Sequence, residues 1–202
     1  MTFTTVVHDL LEKDARLIPT EAGQLHIEEA DPSASLKKVV IQFPQNYLAM
    51  AFSLDFKVTR NKSKSPACLS EVLNASGAHP LRAACDAVIC VDEGTRTHII
   101  HIEMKSGKAR QRAVQQLRNS RCFTRFLRGL AEEWHGLGDR KFLEWFVLLR
   151  DDRTTTRKRG TRIAKTSYPR SQQPSNCPSN PATFSVKTGS SLHLGLLFNR
   201  TA

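Results

Sequence analysis

Two apolar runs separated by a short turn signal constrain this chain more than any other feature. "ACDAVICV" (84–91) and "RTHIIHIEMK" (96–105) are rich in Val, Ile and Cys, and the intervening "DEGT" (92–95) carries a glycine. Runs of this kind are strands, and a connection this short joins antiparallel neighbours, so the spacing predicts a β-hairpin. In a hairpin folded about 92–96, positions whose numbers sum to about 189 lie opposite each other, and Asp86 and Glu103 meet that sum. Directly opposed residues have Cβ atoms roughly 4.5–5.5 Å apart. Side chains alternate between faces, so Glu103 and Lys105 share a side with Ile99 and His101, while Ile100, Ile102 and Met104 point the other way. A carboxylate on a strand buried on both faces is costly unless a cation compensates it. Two carboxylates at this spacing repel unless a divalent ion lies between them, and hard oxygen ligands suit Mg²⁺ or Mn²⁺.

The remainder of the 202 residues reads as one domain around this hairpin. "TVVHDLLEK" (5–13) predicts a short helix and "KKVVIQF" (37–43) a strand ended by Pro44. In "YLAMAFSLDFKV" (47–58), alternation at Phe52, Leu54, Phe56 and Val58 makes the second half a strand. Ser65-Pro66 opens a helix that runs to about 75. A helix over about 108–130 follows the hairpin, then a Gly136/Gly138 loop and an internal strand over 141–150. Residues 151–181 are rich in Arg, Lys, Ser, Thr and Pro and read as a basic, extended loop. "TFSVKT" (183–188) returns as a strand, and 190–198 as a last helix or strand.

Charge narrows the partner. Thirty Lys and Arg against nineteen Asp and Glu give a net charge of +11. That balance favours a polyanion, nucleic acid first, with an acidic membrane surface or protein behind it. Five cysteines without CxxC spacing argue against a disulfide framework or zinc knuckle. The opening "MTFTTVVHDLLEKDARL" is broken by charge too early for a secretory leader. No apolar run approaches the ~20 residues of a membrane span. The expectation is a reducing, cytoplasmic setting and no membrane.

Asp86, then Glu103-x-Lys105 at a strand end, then a helix carrying glutamine, resembles the PD-(D/E)xK nuclease superfamily over residues 80–117. The motif's proline is displaced, with Pro80 six residues before Asp86. The resemblance implies an α/β fold, a mixed central β-sheet flanked by helices with a restriction-endonuclease-like core. It also implies Mg²⁺-dependent hydrolysis of phosphodiester bonds, most often in DNA. Asp86 and Glu103 would hold the metal, with the backbone carbonyl of Met104 as a third oxygen, and Lys105 would orient water or stabilise developing charge. The superfamily often adds an upstream acid, for which Glu71 is the candidate, with Glu21, Glu28 and Glu29 as rivals. Small nucleases of this style resemble components of restriction and anti-phage defence systems, working as homodimers or with a partner sensor protein.

The helix after the motif adds two candidates. Ala113, Gln116, Leu117, Phe123 and Leu127 share one side at 100° per residue, so Gln116 borders the core where its amide would reach the site. Arg118, Arg121, Arg125 and Arg128 gather on another side, and the helix has no acidic residue before Glu132. With Lys108 and the loop residues Arg157, Lys158 and Arg159, they are candidates for phosphate contact. His101 on the active face reads as a packed, hydrogen-bonded residue, and Trp134 and Trp145 as core or loop anchors. Two other readings of the same residues stay open: Glu103 and Lys105 as a plain salt bridge in a non-catalytic basic nucleic-acid-binding module, and a nuclease-like subunit of a larger complex.

Overall fold

The hairpin forms the centre of the molecule. In a computed structural model that describes residues 1–29, 31–44, 48–54, 84–106, 110–151 and 174–198, strand β5 (Ala87–Glu93) pairs antiparallel with β6 (Arg96–Lys105). Every pair, from Ala87↔Ile102 to Glu93↔Arg96, sums to 189, so the expected register is the observed one. The turn is tighter than "DEGT": only Gly94 and Thr95 leave the ladder, and Gly94 takes a φ of 58° that favours glycine. Asp92 stays in the strand because Thr97 Oγ1 donates to it at 2.6 Å and Arg140 pairs with it at 2.8 Å.

Around the hairpin the chain adds β1 (Arg16–Leu17), β4 (Leu48–Phe52), β7 (Lys141–Asp151) and β8 (Ala182–Val186), in the sheet order β1-β4-β5-β6-β7-β8. The β1, β4 and β5 pairings are antiparallel, whereas β6–β7 and β7–β8 are parallel, so the sheet is mixed as expected. Helix α2 (Arg110–His135) connects β6 to β7. It runs five residues past the expected end and stops before Gly136, whose φ of 64° suits the left-handed close of a helix. Among the described residues no helix is long and apolar enough to cross a membrane.

Among the described residues, helices cover one face of the sheet and a second sheet covers the other. Helix α1 (Phe3–Leu10) and α2 cover one face, where Phe3, Val6, Val7, Leu117 and Leu127 pack on Val88, Cys90, Ile99 and Phe146. The other face is covered by a second sheet, β2 (Gln24–Glu28), β3 (Lys38–Gln42) and β9 (Ser191–His193), in the order β2-β3-β9. Its Leu25, Ile27, Val39 and Ile41 pack on Ile89, Ile100, Ile102 and Met104. Residues 190–198 thus contribute a short strand and a 3-10 turn (Leu194–Leu196), since β9 pairs in parallel with β3.

Two local expectations shift. Helix α1 begins at Phe3 because the Thr2 hydroxyl accepts from the Thr5 N–H at 3.3 Å and Asp92 accepts from the Thr4 N–H at 2.9 Å. In 47–58 the described strand is Leu48–Phe52; residues 55–58, with Phe56 and Val58, and the expected helix over 66–75 lie outside the described residues. Trp145 packs on the core as expected, but Trp134 is 76% exposed on α2.

Candidate active site

The resemblance-derived residues converge at the carboxyl end of β6. Asp86 sits one position before the first paired residue of β5, and extending the register sets it across from Glu103. Its Oδ2 accepts the N–H of Met104 at 2.5 Å. In an extended strand the N–H and C=O of one residue open to the same side, so the Met104 carbonyl faces toward Asp86 as well. The Met104 side chain points away into the core against the second sheet.

Glu103 has no exposed surface. One oxygen, Oε1, meets the ammonium of Lys105, and Oε2 has no hydrogen-bond partner among the described residues. Burial, and then the neighbouring Asp86 charge, raise the Glu103 carboxyl well above the ordinary range, while Lys105 opposes that rise. Glu103 is thus buried away from water, with Lys105 on one oxygen and no hydrogen-bond partner for the other among the described residues, a costly arrangement for a charged carboxylate.

The structure sorts the upstream acids. Glu71 lies outside the described residues. Glu21 is exposed, and Glu28 is exposed and spent on Lys38 at 3.1 Å. Glu29, half-buried just after β2, lies within electrostatic reach of Glu103 and adds to the rise in its proton affinity. Its neighbourhood is tied to the end of β6, because the Leu36 N–H donates to Ser106 Oγ at 3.0 Å.

Gln116 is buried on α2 but grips the backbone that leads into Asp86. Its Nε2 donates to the Ala84 carbonyl at 2.9 Å, and its Oε1 has no hydrogen-bond partner among the described residues. Ser120, one turn on, accepts the Cys85 N–H at 2.8 Å and donates to the Gln116 carbonyl at 2.9 Å. The pair fixes the segment on which Asp86 stands, a role for Ser120 that its i+4 spacing from Gln116 signals but does not specify.

Arg150, missed from sequence, pairs with Lys105 across the parallel β6–β7 ladder and so shares its face. A parallel register is not set by a turn, so no local signal placed it there. His101, on the same face as Glu103, is fully buried and stacks on Phe146 with ring centroids 4.8 Å apart. Neither ring nitrogen has a hydrogen-bond partner among the described residues, and burial pushes its pKa down to about 3. It is packed, as expected, but as a neutral ring rather than a hydrogen-bonded one. His98 faces the other way, accepting from Trp145 Nε1 at 3.0 Å through Nδ1, which leaves Nε2 to donate to Glu93 at 3.3 Å.

The arginines of α2 do not form one unmixed face. Arg121, Arg125 and Arg128 gather over Glu144 of β7, with Arg121 Nε to Glu144 Oε2 at 2.8 Å. Arg118 turns aside and donates to Ser179 Oγ at 2.6 Å. Glu144 is sixteen or more positions from these arginines in sequence, and only the β7 placement brings its opposite charge to them. Lys108, Arg157, Lys158 and Arg159 lie outside the described residues.

No protein-family model, curated protein or solved structure matches the chain.

Proposed function

We propose that this protein is a metal-dependent nuclease that hydrolyses phosphodiester bonds, with DNA as its substrate. The reading rests on one observation above the others: Asp86 sets its carboxylate on the Met104 N–H, next to the fully buried Glu103, with Lys105 leaning onto Glu103. A fold tolerates a buried carboxylate beside a second one at a cost in stability, and a site for a cation explains why both are there. The net charge of +11 matches a phosphate-rich substrate.

The residues present fit a hard divalent ion such as Mg²⁺ or Mn²⁺. Asp86 and Glu103 would hold it, with the Met104 carbonyl and Glu103 Oε2, which has no hydrogen-bond partner among the described residues, as further oxygens; Glu29 adds negative charge nearby without joining them. Among the described residues no three His, Cys, Asp or Glu side chains form a metal-holding group, so at least one ligand would come from backbone or substrate. When bound, such an ion supplies an acidified water and positive charge for the scissile phosphate. Lys105 would orient that water or stabilise charge developing on phosphate oxygens. Gln116 and Ser120 hold the backbone before Asp86, and so keep its carboxylate against Met104. A role in restriction or anti-phage defence, as a homodimer or with a partner sensor protein, belongs to the same proposal.

A non-catalytic binding module is favoured by the same Lys105–Glu103 contact, read as a structural ion pair. Plasmid cleavage separates the two. The enzyme reading expects nicking or linearisation with Mg²⁺, none with EDTA, and a loss of several orders of magnitude in Lys105→Ala with DNA binding retained. Binding without cleavage under any of these conditions establishes the module instead.

A further inference from the structure

The groove above Glu144 has more cation than its own carboxylate can use. Arg121 makes a bond of hydrogen-bond length to Glu144, but Arg125 and Arg128 stand 3.6 and 3.9 Å from Oε1, too far for one. Each guanidinium carries five donors, and one carboxylate offers about four acceptor sites. Glu132 meets Arg128 at 3.9 Å on the rim, again beyond hydrogen-bond length. The buried Nε of Arg128 has no hydrogen-bond partner among the described residues. Among the described residues, Arg125 and Arg128 thus make no hydrogen bond to either carboxylate.

The arrangement also holds them still. Arg128 lies over the Phe142 ring at 4.2 Å and Arg121 over Phe146 at 5.9 Å. A guanidinium laid on an aromatic face keeps its N–H edges free for an acceptor in its plane. The Glu144 side chain is 10% exposed and forms the floor, whereas Arg125 is 55% exposed and forms the rim. Together with Asn176 they line a cleft of about 360 Å³, enough for a phosphate and part of its sugar.

We propose that this cleft is a phosphate subsite for the backbone of a nucleic-acid strand, with Glu144 as the buried counter-ion that gathers the three arginines. The inference rests on the nuclease reading and extends it by setting the path of the substrate. Glu144 pairs with Ile99, four residues from Glu103 along β6 and on the same face. At ~3.3 Å per residue the subsite lies about 13 Å from the carboxylate pair. The strand would run along α2, one phosphate over Arg125 and another at Asp86 and Glu103.

The test is fluorescence anisotropy with a labelled 20-mer DNA duplex, in EDTA to prevent cutting, titrated with salt. Arg125→Gln and Arg128→Gln are each expected to weaken binding and to reduce the slope of log Kd against log salt by about 1. Lys13→Gln, which removes an exposed charge far from the cleft, is the control and should leave the slope unchanged. Thermal melting confirms that each variant is folded. Equal losses in all three variants, or arginine variants that bind as tightly as wild type, overturn the subsite. Cleavage by the same preparations in Mg²⁺ is scored separately: arginine-dependent binding without cutting retains the subsite and removes the nuclease reading.

Discussion

Asp86 accepts the Met104 N–H at 2.5 Å while its hairpin partner Glu103 lies fully buried beside it. The first carboxylate is braced by backbone, and the second is compensated, among the described residues, by Lys105. This asymmetry makes Glu103 the costly member of the pair and governs how the protein responds to charge removal, metal and pH.

Glu103→Gln is expected to stabilise the metal-free protein at neutral pH. Burial raises the Glu103 carboxyl in the fold above its ordinary value of 4.5. Between those two values the folded chain binds more protons than the unfolded one, so stability falls as pH rises through the window. Glutamine removes the ionisation and still offers Lys105 an acceptor. Each ~1 kcal/mol gained raises Tm by about 2–4 °C in a chain of this size. Melting in EDTA should show the gain at pH 7 and its disappearance below pH 4; a lower Tm at pH 7 would show that the ion pair outweighs the burial cost.

Divalent ions should move the same variant oppositely. Mg²⁺ or Mn²⁺ that binds only the folded state stabilises by ~2.7 kcal/mol at a hundred times its Kd. Wild-type Tm is expected to rise with added Mn²⁺, and Asp86→Asn and Glu103→Gln to lose that rise. An equal rise in all three would place the ion elsewhere.

His101→Leu should flatten the acid limb of stability. The ring is neutral in the fold down to about pH 3, whereas the unfolded chain protonates it near the ordinary 6.5. Between these values the unfolded state binds the extra proton, so His101 costs stability as pH falls from 6.5 toward 3. Urea melts at pH 7 and pH 4.5 should differ less for the leucine variant than for wild type. An unchanged difference would mean that other groups set the acid response.

Gln116→Leu leaves the buried Ala84 carbonyl without the donor that it now has at 2.9 Å. The expected cost is about 1–3 kcal/mol, read from urea denaturation. Cleavage should fall further than stability, because the segment carrying Asp86 is released. A variant that loses stability but retains full activity would confine Gln116 to packing.

The hairpin and its register were legible because they are local. Turn length and alternation specify which residues of 84–105 face each other, and the sum of 189 that opposes Asp86 to Glu103 follows from them alone. That a long helix follows the hairpin was legible from its period, but not that it runs on to His135 before Gly136. By contrast, β2 and β9 are short, and β9 reaches β3 from about 150 residues away, so no turn announces that sheet.

The sequence by itself determined that two acids and a lysine meet at one strand end, because the chain between them is too short to allow another pairing. Only the tertiary structure decided what surrounds them. The parallel β6–β7 ladder set Arg150 beside Lys105 and brought Glu144 under Arg121, Arg125 and Arg128. Packing, not pattern, buried Glu103 and His101 completely. Contacts across a crossover depend on the sliding of one element past another, which burial of the whole core settles and no neighbouring residue can.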